Sequence, residues 1–151
     1  MNLLQKSFRP TNDVEGESES MNDQLKYYSN KLAYEIDSWD LKVAIDAGEK
    51  ITIVDTRSPE AFQRGHIPGA VNLPHRTISA PTTCSLDMSK LIVSYCDGIG
   101  CNASTKGAMK LTQLGFRVKE LIGGMDWWKR DGYEIHNESS LETPNQCGCE
   151  S

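Results

Sequence analysis

Two short runs rich in β-branched and apolar residues constrain this chain more than any other feature: ITIVD at 51–55 and LIVSY at 91–95. Each is too short for a core helix and lacks the regular polar alternation of a strand with one wet face, so each reads as a strand buried on both sides of a parallel sheet. Parallel strands need long, usually helical, crossovers. Ser58, Pro59 and Glu60 supply an N-cap, a proline at the first helical position and an acid in the first turn, which predicts a short helix stopped by Gly65. Ala103, Gly107, Leu111 and Leu114 recur at helical spacing until Gly115. FRVKELI at 116–122 then reads as a third strand, and MDWWKRDGY at 125–133 as a last helix after Gly123 and Gly124. Alternating strands and helices of this kind specify an α/β fold.

The flanks are less apolar. Residues 10–22 are polar and acidic, too poor in apolar surface to offset the entropy of ordering them, and 1–22 is expected to be a disordered leader. Leu25, Tyr28, Leu32 and Ile36 fall at helical spacing, and SWDLKVAIDAG predicts a second, capped helix ending at Gly48. These form a helical lead-in to a domain spanning 23–137. Pro68 and Gly69 mark a type II turn, AVNLP a brief extended piece, and residues 76–89 a long connection broken by Pro81. Residues 138–151 are polar and turn-rich and are expected to be a mobile tail.

A formal net charge of -5 with no stripe of Lys and Arg argues against a nucleic-acid surface. No apolar run is long enough to span a bilayer, and the opening residues lack the core of a signal peptide, so a cytoplasmic location with no membrane partner is expected. Five cysteines, an odd number at irregular spacing, suit reactive or buried thiols better than a disulfide framework. The chemistry therefore turns on thiols.

Cys96 stands at the C-terminal end of the second apolar run, where open α/β sheets place their crevice. The segment after it, Asp97, Gly98, Ile99, Gly100, Cys101 and Asn102, is a strand-to-helix turn whose two glycines are free to take backbone angles that other residues resist. Converging amides and the following helix N-terminus would lower a thiol pKa and hold an anionic sulfur. The same cradle would serve a persulfide. The plainer alternative is that Cys96 is a small apolar residue closing a strand.

The segments VDTRSPEAFQRGHIPGAVNLP and YCDGIGCNASTKGAMKLTQLGFRVKELIGGMDWWKRDGY resemble the entry motif and the active-site half of the rhodanese family, in that family's order and separation, over 51–133. The resemblance implies a five-stranded, mainly parallel sheet with helices on both faces. It also implies Cys96 as the sulfur-carrying nucleophile, a cradle of backbone amides from Asp97 to Asn102, and sulfurtransferase activity without a cofactor. Asp55 and Arg57 are placed by it at the pocket rim, where Arg57 is expected to pair with Glu60 rather than meet an anionic donor. His66 is expected to fix a turn rather than perform acid-base chemistry.

The rhodanese-related dual-specificity phosphatases carry a C-x5-R loop whose arginine clamps phosphate; here Asn102 stands in that place, which counts against phosphatase and arsenate-reductase chemistry. Asp97 adds a negative charge beside the nucleophile, which is expected to make thiosulfate a less comfortable donor than a persulfide or a partner protein. Cys101 either attacks a persulfide or closes a disulfide, or is a buried thiol at a helix start. Cys147 and Cys149 with His136 match no common metal template, so no metal is expected; a C-x-C tail reaching Cys96 is the other reactive reading, and a plain solvated tail the default. Of Trp127 and Trp128, one is expected to pack as core. The expected function is transfer of sulfane sulfur from thiosulfate or a persulfide, small or protein-borne, through a Cys96 persulfide to a thiol, or to cyanide in vitro. The alternative is a binding or redox-switch module built on Cys96 and Cys101.

Overall fold

The computed structural model describes residues 14–137. The chain separates into two units, one ending at Ala33 and one beginning at Tyr34. Among the described residues the first unit consists of the helix α1 (Val14–Tyr34), whose last residue already belongs to the second. It starts inside the stretch expected to be disordered, because Glu19, Met21, Gln24, Leu25 and Lys26 are good helix formers whatever they bury. Leu25, Tyr28 and Leu32 lie on it as their spacing predicts, but they stay exposed rather than joining the core. Ile36 leaves the helical pattern altogether and enters a strand. Of the two helices expected as a lead-in, the first ends where the second unit begins, at Tyr34, and the other, Ser38–Asp46, lies inside that unit. The tail, with Cys147 and Cys149, lies outside the described residues. No described helix is long and apolar enough to cross a membrane.

The second unit runs β1 (Glu35–Ile36), α2 (Ser38–Asp46), β2 (Ile51–Asp55), α3 (Pro59–Arg64), β3 (Val71–Asn72), α4 (Ala80–Thr83), β4 (Leu91–Tyr95), α5 (Ala103–Gln113), β5 (Val118–Leu121) and α6 (Gly124–Arg130). The sheet has the order β1-β5-β4-β2-β3, and every pairing is parallel. Local signals set the helix limits. Asp37 caps α2 by accepting from the Asp40 amide, and Ser58 caps α3 by accepting from the Ala61 amide. Gly69, at φ 79, closes the expected turn with the Ala70 amide on the Ile67 carbonyl. Pro81 does not break the long connection as expected. It sits in the first turn of α4, where a missing N–H costs nothing.

The two central strands bury both faces, and the period of two sorts their side chains into two cores. Ile53, Val93 and Tyr95 point to one side, where Leu41 of α2 and Met125 and Trp128 of α6 cover them. Val54 and Ile92 point to the other, against Leu111 of α5, Phe116, Leu73 and Ile78. Trp128 is the core tryptophan and Trp127 is partly exposed. Close approach of α5 to the sheet depends on Gly107, where a Cβ would fall 2.7 Å from the Thr56 methyl. The architecture delivers β4 and β2 side by side in register from Ile51 opposite Leu91 to Asp55 opposite Tyr95, so Thr56, Arg57 and Cys96 emerge at one edge.

Ile92→Ala is expected to cost about 2–5 kcal/mol, because a fully buried side chain leaves a cavity between β4 and α5. Leu25→Ala on α1 is expected to stay within about 0.5 kcal/mol, since its side chain is already in water. Urea unfolding followed by near-UV circular dichroism separates the two.

Candidate active site

Cys96 follows directly on β4 and is only 2% exposed. Its main chain is fixed from the far side by α6, whose Met125 and Asp126 amides donate to the Cys96 and Asp97 carbonyls at 2.9 and 2.8 Å. Gly124 makes that approach possible. It has φ 51, and a Cβ there would sit 2.3 Å from the Cys96 carbonyl oxygen. The glycine pair that closes the preceding loop is therefore the device that docks the last helix on the site.

The loop differs from the expected ring of amides. Gly98 and Gly100 are not in the left-handed region. A Cβ at Gly98 would fall 2.4 Å from the Asp126 carboxylate, which would have to turn aside, and Gly100 faces open space. The Cys101 amide turns back to the Gly98 carbonyl at 3.0 Å. Carbonyl oxygens thereby face the sulfur: the Cys96 thiol donates to Cys101 O at 3.1 Å and lies 3.8 Å from Gly98 O. Such contacts favour a neutral thiol. Burial pushes the Cys96 thiol above the ordinary thiol range, the Ser104 hydroxyl and amide oppose this, and Cys101 adds to it. The expected lowering of the thiol pKa is thus reversed in this resting arrangement.

Ser104 escaped the sequence reading. It lies in the first turn of α5, 2% exposed, with Oγ 3.3 Å from the Cys96 sulfur and 2.7 Å from Glu120 Oε1 on β5. The hydroxyl has one proton. Given to Glu120, it leaves the Cys96 S–H as the donor; turned to the sulfur, it stabilises a thiolate while Thr105 Oγ1, 2.7 Å from the same carboxylate oxygen, keeps Glu120 satisfied. The signal that would have found it is a hydroxyl in the first turn of the helix that follows the nucleophile.

Arg57 pairs with Asp55 and Asp97, not with Glu60. Asp55 is fully buried and accepts from Arg57 Nε at 3.0 Å and Nη2 at 2.7 Å, in a two-pronged pair. Nη2 also donates to the Gly65 carbonyl at 2.7 Å and Nη1 to Asp97 at 3.1 Å. Burial opposes the Arg57 charge, but the hydrogen bonds and charge of Asp55, with Asp97 beyond, outweigh it and hold the guanidinium protonated above the usual arginine range. Glu60 is exposed, and its carboxyl is held below the usual range by backbone and Ser58 hydrogen bonds at the start of α3. His66 stacks on Phe62 at 3.7 Å, approaches the Phe62 carbonyl with Nδ1 at 3.0 Å, and exchanges backbone hydrogen bonds with His136. Ile99 is exposed, and Asn102 occupies the N-cap of α5 without a side-chain capping bond.

Beside the loop opens a cleft of about 430 Å³ lined by Arg57, Arg64, His75, Arg76, Asp97 and Cys101 among others. Arg64 and Arg76 give it positive charge, and Lys106 and Lys110 lie close enough to act on His75. Burial first, then Lys106, Arg76 and Lys110, lowers the His75 pKa below the ordinary imidazole value. Among the described residues no group of three His, Cys, Asp or Glu could hold a metal.

Arg57→Met leaves the Asp55 carboxylate buried without its partner and is expected to cost about 3–5 kcal/mol in chemical denaturation. Ser104→Ala is expected to move the pH midpoint of Cys96 alkylation further upward, because the one hydroxyl able to stabilise the thiolate is gone. Iodoacetamide rates on the Cys96 peptide across pH measure that shift.

The family model for the rhodanese-like domain matches residues 39–131. The chain is 44% identical to the BH2092 protein of Bacillus halodurans, whose crystal structure superposes with a TM-score of 0.74 over 78% of this chain and 86% of that one. It is 33% identical over 105 residues to a protein of Allochromatium vinosum named sulfurtransferase, covering 69% of this chain and 95% of that protein. It is 37% identical over 90 residues to the HTH-type transcriptional regulator Rv0324 of Mycobacterium tuberculosis, covering 60% of this chain and 39% of the regulator. The chain spans between 39% and 61% of the length of the first curated relatives it matches. A five-stranded parallel sheet in the order β1-β5-β4-β2-β3, a cysteine at the end of its central strand, and a family model matched from 39 to 131 lead to one assignment: this chain belongs to the rhodanese-like domain family.

Proposed function

We propose that this chain is a sulfurtransferase in which Cys96 accepts sulfane sulfur from an anionic donor and passes it on as a persulfide. The observation that carries the reading is a buried nucleophile at the end of β4 beside a cleft whose walls carry Arg64 and Arg76. The Cys96 thiolate attacks the outer sulfur of thiosulfate, the S–S bond breaks, and sulfite leaves with the bonding pair. A thiolate or cyanide then attacks the outer sulfur of the persulfide and releases Cys96 as thiolate. The name of the Allochromatium vinosum relative supports the same class of reaction.

Two features argue for an anionic donor. The Asp97 charge, expected to repel thiosulfate, is met by Arg57 at 3.1 Å. The remaining cations of the cleft wall come from α3 and from the segment after β3, in a protein of net charge -5, so they form a local positive field. The resting thiol still has to ionise, and the Ser104 hydroxyl is the group placed to help it.

Reduced protein incubated with thiosulfate is expected to gain one sulfur on the Cys96 peptide and release one sulfite, and Cys96→Ser is expected to do neither. Arg64→Ala combined with Arg76→Ala is expected to slow loading about tenfold at low ionic strength, with the gap closing as salt is added. An unmodified Cys96 peptide with both thiosulfate and glutathione persulfide would overturn the reading.

A further inference from the structure

We infer that Cys101 is a resolving cysteine: in the absence of an acceptor it attacks the Cys96 persulfide, forms a Cys96–Cys101 disulfide inside the loop, and releases the sulfur as sulfide. The inference rests on the carrier reading above and adds a second outcome for the carried sulfur. Its basis is the way the loop folds. The Cys101 amide bonded to Gly98 O turns the chain back on itself, and that turn brings Cys101 over the sulfur, with its carbonyl 3.1 Å from Cys96 Sγ. The two thiols are near enough for Cys101 to be among the groups that act on the Cys96 thiol. Two thiols already held together in one loop react as a unimolecular pair, without the entropy cost of bringing in an outside thiol.

Exposure separates their roles. Cys96 is 2% exposed, whereas Cys101 is partly exposed and lines the basic cleft. Cys101 is therefore reached from the cleft, while the sulfur it attacks is shielded. Cys84, the other free cysteine among the described residues, lines a separate cleft with Ala80, Leu86, Met88, Leu114 and Phe116 and has no such partner there.

The step balances without an added oxidant. The Cys101 thiolate attacks Sγ of the Cys96 persulfide, the bond from Sγ to the outer sulfur breaks, and the outer sulfur departs with the electron pair as hydrosulfide. The two cysteine thiols are oxidised to a disulfide and the sulfane sulfur is reduced to sulfide. Starting from thiosulfate, each chain that reacts yields one sulfite, one sulfide and one disulfide. A dithiol reductant returns the loop to its two thiols.

The test is a time course of the full chain with thiosulfate and no acceptor, followed by intact mass, sulfide release and non-reducing peptide mapping after alkylation. A species heavier by one sulfur is expected first, giving way to one lighter by two hydrogens, with sulfide equal to sulfite and a peptide joining Cys96 to Cys101. In Cys101→Ser the heavier species is expected to persist and sulfide release to fall at least tenfold. A wild-type persulfide on Cys96 that lasts as long as it does in Cys101→Ser would overturn the inference and leave the carrier reading standing. Sulfur found on Cys101 itself, or a disulfide from Cys96 to Cys147 or Cys149, would overturn it equally. If no sulfite is released and no mass is gained, the carrier reading falls and this inference falls with it.

Discussion

The Arg57 guanidinium is the junction on which the site depends. It stands just beyond the end of β2, yet its donors reach Asp55 on the strand, Gly65 after α3, and Asp97 in the loop after β4. Its charge also lies over the Tyr95 ring, 5.6 Å from the ring centre, at the last residue of β4. One side chain thus fastens the end of its own strand and the close of α3 to a loop forty residues further on. A buried ion pair is a poor source of net stability, since desolvation consumes most of its attraction. What this one provides is position, because a planar fork with its donors shared among three partners permits one placement of the loop. Tyr95 completes the arrangement from the other side, with its hydroxyl accepting from the Ile67 amide at 3.1 Å and its ionisation suppressed by burial and the neighbouring Asp55 charge.

With the near side of the loop held by Arg57, the far side is held by α6, through the Met125 and Asp126 amides. These bonds take up the Cys96 and Asp97 carbonyls, so the peptide units at the nucleophile are pinned while those from Gly98 to Cys101 form a turn over the sulfur. The resting loop therefore closes on a neutral thiol with carbonyls turned toward it. An anionic persulfide needs the opposite polarity. The structure supplies it at one point, the Ser104 amide and hydroxyl, and the Glu120 carboxylate competes for that hydroxyl. On the proposed reading, the thiolate would gain its one side-chain donor when the Ser104 proton points to the sulfur rather than to Glu120.

The strands β2 and β4 and their buried character were legible because they carry the composition that a two-faced burial explains, and the limits of α3 and α5 because Ser58, Gly65 and Gly115 are local signals, whereas β1 was read as part of a helix. Cys96 was legible for the same reason, as the residue that follows the central strand. The start of α1 was not. Low hydrophobicity marked it for disorder, whereas a helix needs only backbone hydrogen bonds and tolerant side chains. Asp55, two residues from Arg57, was within reach of the sequence and was passed over for Glu60, whereas Asp97 was missed as a partner of Arg57 because it is forty residues away and is brought close only by the pairing of β2 with β4. Ser104 and the docking role of Gly124 were hidden for the same reason, since both depend on an element packed against the loop rather than on the loop itself.

The division of charge around the site follows from these constraints. A loop with an arginine at position 102 would carry its anion clamp on the same backbone that bears the nucleophile, and would suit a tetrahedral dianion held through the whole reaction. Asn102 brings no charge, and the cations stand instead on α3 at Arg64 and after β3 at Arg76. On the proposed sulfurtransferase reading, charge on the cleft wall would draw an anionic donor in without gripping the group that remains on Cys96 after the leaving group departs. On that reading the transferred sulfur would stay with the loop and the leaving anion would depart from the wall. That separation is what a two-step carrier requires, because binding energy spent on the leaving group does not have to be repaid when the second substrate arrives.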